Sequence, residues 1–182
     1  MDYIYKKKAE RNQKEYYCSK GINTFRFINQ IRKEDPTLKF IHLVRDPRDV
    51  IASFMKQKSS LNSSYDAVLQ WKKQQKLLID AKNNTNFSCI TIKYEDLISN
   101  TTKIMDKIML ALGLPPDAKC YETNPLNKES IKSTYWKNLS QPIMVKNRNK
   151  FMEVLSDEDI LIIETIAKDE MKEYGYSPIS SQ

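Results

Sequence analysis

Glycine is scarce in this chain: three in 182 residues, at Gly21, Gly113 and Gly175. None follows an apolar strand pattern and opens a helix, so no glycine-rich loop of the kind whose backbone N–H groups cradle a phosphate is present. Histidine is scarcer still. The single one, His42, lies between Ile41 and Leu43 inside an apolar run. It reads as a core or edge residue, which leaves a histidine-based acid–base mechanism without its histidine. Cys18, Cys89 and Cys120 are three in number and widely separated, which argues against a disulfide framework and against a zinc site; no metal is implied anywhere. Reduced thiols in a cytoplasmic protein are the expectation. No apolar run approaches the ~20 residues that span a membrane, and the charged start from Met1 to Lys8 has no apolar segment behind it.

What is present is ordinary for a folded protein. Hydrophobic residues make up 40% and charged residues 29%, which suits one globular domain, 1–182, with its own core. The net charge of +7 favours an anionic partner and by itself admits nucleic acid or a membrane surface. The densest basic run, Tyr5-Lys6-Lys7-Lys8, is followed by Glu10 and Glu15 and reads as a solvated helix face, so nucleic acid is not the expected partner. The Asn-x-Ser/Thr triplets at Asn62, Asn83, Asn86, Asn100 and Asn138 read as chance matches in an asparagine-rich chain.

The stretch from Lys39 to Phe54 organises the rest. Phe40 to Val44 is a short apolar run of the kind buried in parallel sheets, and it stops at Arg45-Asp46-Pro47-Arg48-Asp49. A strand hands over to a helix there: Asp46 suits the cap, Pro47 the first turn, and Val50, Ile51 and Phe54 recur at helical spacing. Arg45 therefore stands at the carboxyl end of a strand and the amino end of a helix, where open α/β sheets bind ligands. Helix N–H groups and a guanidinium there suit a phosphate, with the Ser53 hydroxyl two turns on as a second grip. The spacing equally allows Arg45 and Arg48 to pair with Asp46 and Asp49, with Ser53 as a small packing residue.

Along the chain, residues 1 to about 20 read as a frayed helix or arm. Asn23-Thr24 caps a helix carrying Phe25, Ile28 and Ile31 that ends before Pro36. Asn62-Ser63-Ser64 opens a helix with Val68, Trp71 and Leu78 on one face. Ser88 to Tyr94 alternates as a second strand, and two strands joined through a helix predict a right-handed parallel crossover. A helix from Thr101 carries Ile104, Ile108 and Leu112 and stops at Gly113 before Pro115-Pro116. From 115 to 154 the periodicity is lost, as in a lid or substrate loop. Ser156 and Asp159 form a capping box for a last helix burying Ile160, Ile163, Ala167 and Met171 and closed by Tyr174-Gly175-Tyr176.

A strand ending in arginine, with a serine eight positions later, resembles the 3′-phosphate motif of sulfotransferases that use 3′-phosphoadenosine 5′-phosphosulfate (PAPS). The likeness implies that Arg45 and Ser53 hold the cofactor's 3′-phosphate. Tyr94-Glu95-Asp96-Leu97 after the second strand, then a helix and Leu112-Gly113-Leu114, follows the order in that family; it implies that Tyr94 lies near the adenine, stacking on the purine while its hydroxyl bonds a ring nitrogen. Taken alone, Tyr94 reads as a surface tyrosine over the sheet end, and Glu95 and Asp96 as acids of the helix approach. The ending, a basic loop and an acidic-capped helix, is also similar, with Asn149-Lys150-Phe151 where the family carries Gly-Arg-Trp. Arg148 and Lys150 are there implied to add charge at the 3′-phosphate or, read alone, are solvated loop charges.

The resemblance runs from about Tyr17 to Tyr176 and implies an α/β fold, a P-loop nucleotide-hydrolase-like parallel sheet flanked by helices. It implies sulfonate transfer from PAPS to an acceptor hydroxyl or amine. Only 38 residues precede the organising strand, so the fold is expected to be N-terminally incomplete, lacking the 5′-phosphosulfate loop, and finished by a further segment or a partner chain. Ser19-Lys20-Gly21 falls where many members have an acid before lysine, which leaves no carboxylate base to name. Two rivals follow: an inactive nucleotide-binding or interaction module that keeps only the 3′-phosphate half-site, and a nucleic-acid binder using the +7 charge.

Overall fold

The computed structural model describes residues 2–21, 24–56, 63–83, 88–121 and 143–179. Their contacts divide the chain into two compact units, Met1–Pro36 and Thr37–Gln182. In the first, helix α1 (Asp2–Arg11) is followed by extended chain, a short 3-10 turn (Thr24–Phe27) and helix α2 (Ile28–Glu34). The expected cap, Asn23, lies outside the described residues. Helix α2 ends two residues before Pro36, as the proline's steric demand on its neighbour requires.

The second unit is built on two parallel strands, β1 (Phe40–Val44) and β2 (Cys89–Lys93), paired in register from Phe40 opposite Cys89 to Val44 opposite Lys93. Between them run α3 (Pro47–Lys56) and α4 (Ser64–Asn83). The Ser63 hydroxyl accepts from the Asp66 N–H at 3.1 Å, so Ser63 is the residue of the predicted Asn-Ser-Ser start that caps α4. After β2 come α5 (Tyr94–Ser99) and α6 (Thr101–Leu112), the latter stopped by Gly113 in the left-handed conformation at φ +76. The predicted irregular stretch holds two 3-10 turns among its described residues, Ala118–Cys120 and Lys150–Glu153; its residues 122–142 lie outside the described ones.

Helices α7 (Asp157–Ile166) and α8 (Lys168–Glu173) replace the one helix expected at the carboxyl end. The break falls at Ala167, where Lys72 from α4 donates to the Ile166 carbonyl at 2.7 Å. The Ser156 and Asp159 capping box starts α7 as expected.

The core gathers Val44 from β1, Ile51 and Ala52 from α3, Val68 and Trp71 from α4, Phe151, and Ile160, Ile163, Ala167 and Met171 of the last two helices. Burying each large apolar side chain contributes roughly 1.5–3 kcal/mol. One sheet expectation needs correction. The β1 run does not read as buried on both faces: Ile41 and Leu43 are 42% and 51% exposed, whereas Val44 is 1% exposed. Alternation sends Val44 into the helical core and leaves its neighbours on a face that α6 covers over β2.

Candidate functional site

The site lies where β1 turns into α3. Pro47 begins the helix and has no N–H, and the N–H of Arg48 donates to Asp46 Oδ1 at 2.9 Å. Asp46 is thus the cap that its position predicted. The Arg48 guanidinium then wraps around the same carboxylate, with Nε 3.0 Å from Oδ1 and Nη2 2.7 Å from Oδ2. Its Nη1 reaches Glu164 Oε1 at 2.6 Å and the Ser177 carbonyl at 3.2 Å, and its plane lies 4.6 Å from the centre of the Phe151 ring. Burial alone would lower the basicity of this group; the hydrogen bonds and charge of Asp46 and then Glu164 outweigh it and leave the pKa raised.

These contacts change the expected chemistry of the helix end. Asp46, Pro47, Arg48 and Asp49 are all buried, and the positive end of α3 already faces the Asp46 carboxylate. The Arg48 N–H and the positive end of the helix are thus already turned to Asp46, and an anion here would draw on side chains as well.

Arg45 is the side chain so placed. Since Val44 pairs with Lys93, the next residues along each strand, Arg45 and Tyr94, leave the sheet side by side. The guanidinium lies 4.7 Å from the centre of the Tyr94 ring, a cation–π contact. Its Nη2 donates to the Asn147 carbonyl at 3.1 Å and stands 3.7 Å from Asp49 Oδ2. Its Nε is buried with no hydrogen-bond partner among the described residues, although the side chain as a whole is 24% exposed. Asn147 also donates through Nδ2 to the Tyr94 hydroxyl at 2.7 Å.

Asp49 completes the arrangement. Its side chain, 1% exposed, accepts from the Asn149 N–H at 2.9 Å through Oδ2 and from the Phe151 N–H at 3.0 Å through Oδ1. The segment 147–151 is thereby fastened to the first turn of α3. Arg148 and Lys150 lie on that segment with exposed side chains, and half-buried Ser53 lies one helical turn beyond Asp49.

Of the residues singled out in the sequence, the fold joins Arg45 to Tyr94 by direct contact and carries Arg148 and Lys150 on the strap that follows Asn147. It also realises the plain reading of the same turn, since Arg48 pairs with Asp46 and Arg45 approaches Asp49. Tyr94 supports Arg45 with its ring, and its hydroxyl, which accepts from Asn147, keeps its own proton to donate. Sequence reasoning missed Asn147, the strap that Asp49 holds and the tie made by Glu95. Glu95 is more than an acid on the helix approach: Oε1 accepts from the Asp46 N–H at 3.0 Å and Oε2 from the Tyr176 hydroxyl at 2.8 Å. Asp49 carried one signal, its place four residues after Arg45; Asn147, in an unpatterned stretch, carried none.

Two open clefts lie elsewhere in this unit. One, of about 260 Å³, is bordered by Lys82, Thr91, Lys93 and Lys107, and the other, of about 310 Å³, by Met171, Tyr176 and Pro178. Arg45 borders neither.

Known proteins resemble parts of this chain. The pattern of the "Sulfotransferase family" matches residues 1–118, which contain both strands, Arg45, Ser53 and Tyr94. A Caenorhabditis elegans protein described as "Putative protein-tyrosine sulfotransferase" is 30% identical over 103 residues, 54% of this chain and 40% of its own length. The sulfotransferase domain of the olefin synthase from Synechococcus PCC 7002 superposes with a TM-score of 0.51 at 24% identity, over 71% of this chain and 49% of that one. The match spans less than half the length of either relative. It shows the α/β fold expected from the sequence, a small parallel sheet flanked by helices.

Proposed function

Because the chain belongs to the sulfotransferase family, we propose that it serves the transfer of a sulfonate group from PAPS to an acceptor hydroxyl or amine, and that Arg45 holds the 3′-phosphate of that donor. The observation that carries this reading is the state of Arg45. It is fixed by Tyr94, Asn147 and Asp49 at the carboxyl edge of the sheet, yet its Nε is buried without a partner among the described residues. A buried donor without an acceptor costs free energy, and a phosphate oxygen removes that cost. The residues present therefore fit the phosphate end of the nucleotide.

When bound, PAPS supplies an activated sulfonate whose leaving group is a nucleotide phosphate. The rest is the work of the chain. Arg45 binds and orients the 3′-phosphate, and the Ser53 hydroxyl, further along the same helix, is a second donor to it. Tyr94 holds the guanidinium plane by one face and offers the other face and its O–H to the adenine. Arg148 and Lys150 add positive charge from the strap. Positioning of this kind is a large part of catalysis in group transfer, because it removes freedom of motion before the bond changes.

The sheet supports a further part of the reading. Among the described residues the sheet has two strands, with Ile41 and Leu43 exposed on β1, which suits completion by another strand, from a partner chain or a further segment.

The test is calorimetry at fixed salt with 3′-phosphoadenosine 5′-phosphate against adenosine 5′-phosphate, on the native chain and on Arg45→Ala. Charge-assisted hydrogen bonds of about 1.5–3 kcal/mol predict a tenfold to hundredfold weaker grip on the 3′-phosphorylated nucleotide in the variant. Equal affinity of the native chain for both nucleotides would overturn the assignment.

A further inference from the structure

From the strap geometry we infer that Asp49 is a positioning residue for the anion site: it sets the path of residues 147–151 so that Arg148 and Lys150 stand beside Arg45. This rests on the reading of Arg45 as the 3′-phosphate ligand and goes one step further, to what assembles the rest of that site.

The strap is held at three points. Asn147 gives its carbonyl to Arg45 and its side-chain N–H to Tyr94, Asn149 gives its backbone N–H to Asp49, and so does Phe151, whose ring is buried under Arg48. Arg148, Asn149 and Lys150 all have exposed side chains. Fastening the backbone at 147, 149 and 151 fixes the path of the strap, from which Arg148 and Lys150 branch next to Asn147, the residue bonded to Arg45. Asn149 adopts φ +57, a left-handed conformation that asparagine tolerates better than most residues. That kink lets two N–H groups two residues apart converge on a single carboxylate.

The chemistry demands a carboxylate. Asp49 uses both oxygens as acceptors of N–H donors 100 and 102 residues away in the chain. An asparagine in its place has one acceptor, and its amide nitrogen would meet an N–H head on. A buried anion 3.7 Å from Arg45 Nη2 also restrains the guanidinium without the bidentate grip that Asp46 has on Arg48, so Arg45 keeps donors for a ligand.

Coupled substitutions test this, with calorimetry of 3′-phosphoadenosine 5′-phosphate as the readout and adenosine 5′-phosphate as control. The chains are native, Asp49→Asn, the double variant Arg148→Gln with Lys150→Gln, and the triple combination. The expected result is about tenfold weaker binding in Asp49→Asn, a similar loss in the double variant, and no multiplied loss in the triple, with the control nucleotide unaffected throughout. A purely structural Asp49 gives a lower melting temperature with unchanged preference for the 3′-phosphate, or losses that multiply in the triple; either overturns the inference. Should Asp49→Asn not fold, the double variant, altered only at exposed side chains, decides: undiminished binding rejects the role of the strap. Failure of the underlying reading looks different, since then the native chain does not distinguish the two nucleotides, or Arg45→Ala binds as the native chain does.

Discussion

Arg48 on α3 and Glu164 on α7 meet at 2.6 Å across 116 residues of sequence, both buried, with Asp46 closing the other side of the guanidinium. Replacing Arg48 by alanine leaves two buried carboxylates without their cation, and removing one partner of such a network costs about 3–5 kcal/mol. Arg48→Lys does not restore it, because an ammonium cannot span Asp46 through two parallel bonds and reach Glu164 as well. Urea unfolding is the measurement. Variants within 1 kcal/mol of the native chain would show that the network contributes little.

A second tie runs from Tyr176 to Glu95 and on to the backbone of Asp46. Burial of the phenol, followed by the charge of Glu95 and its hydrogen bond, drives the Tyr176 pKa upward, so the hydroxyl stays protonated and donates throughout the working range. Tyr176→Phe keeps the ring under Lys93, whose Nζ lies 4.1 Å from its centre, and removes only the O–H. The expected cost is about 1–2 kcal/mol in denaturant unfolding. No loss of stability would mean that water replaces the hydroxyl at Glu95.

The outline of this site was legible because it is local. Strand β1 and the start of α3 follow from an apolar run, an aspartate and a proline within ten residues, and the structure places both as read. The pairing of Arg45 with Tyr94 follows once two strands are recognised, since a parallel register brings their ends together. The strap does not follow. Asp49 binds backbone N–H groups, which every residue but proline has, so no side-chain pattern at 149 or 151 announces the contact. The exposed face of β1 was misread for a related reason: apolar β-branched residues fit either a covered or an uncovered face, and cover depends on which helices cross it.

The start of α7 is tied to the start of α4. Asp159 Oδ1 accepts from the Ser64 hydroxyl at 2.6 Å, while Oδ2 accepts from the Ser156 hydroxyl at 2.7 Å and its backbone N–H at 3.2 Å. The Ser64 and then Ser156 hydrogen bonds hold the Asp159 carboxyl below its usual range. Its contribution is present above the ordinary carboxylate pKa and is lost as the pH falls through the lowered one. Ser156→Ala is expected to cost about 1 kcal/mol as a lost cap. Combined with Ser64→Ala the losses should not add, since both hydroxyls act on one carboxylate. Strict additivity in a double-mutant cycle would contradict that sharing.

The one histidine makes stability depend on pH in a window of its own. His42 sits on β1 with its ring 5.7 Å from that of Tyr174, just after α8, and its Nδ1 is buried with no hydrogen-bond partner among the described residues. Burial, and then the charge of Lys82 on α4, lower its pKa from 6.5 to about 4, with nearby Gln75 pulling the other way. Folding therefore weakens its hold on a proton. Between pH 6.5 and about 4 the unfolded chain takes up a proton that the folded chain refuses, so stability falls as the pH drops through that range, by on the order of 2–3 kcal/mol at its lower end. Carboxylates titrate in the same region, so the quantity to follow is the difference between the native chain and His42→Gln in urea unfolding at a series of pH values. That difference should be flat above pH 7 and should move in favour of His42→Gln as the medium is acidified. Parallel curves from pH 7 to 4 would mean that His42 titrates in the folded chain as it does in the unfolded one.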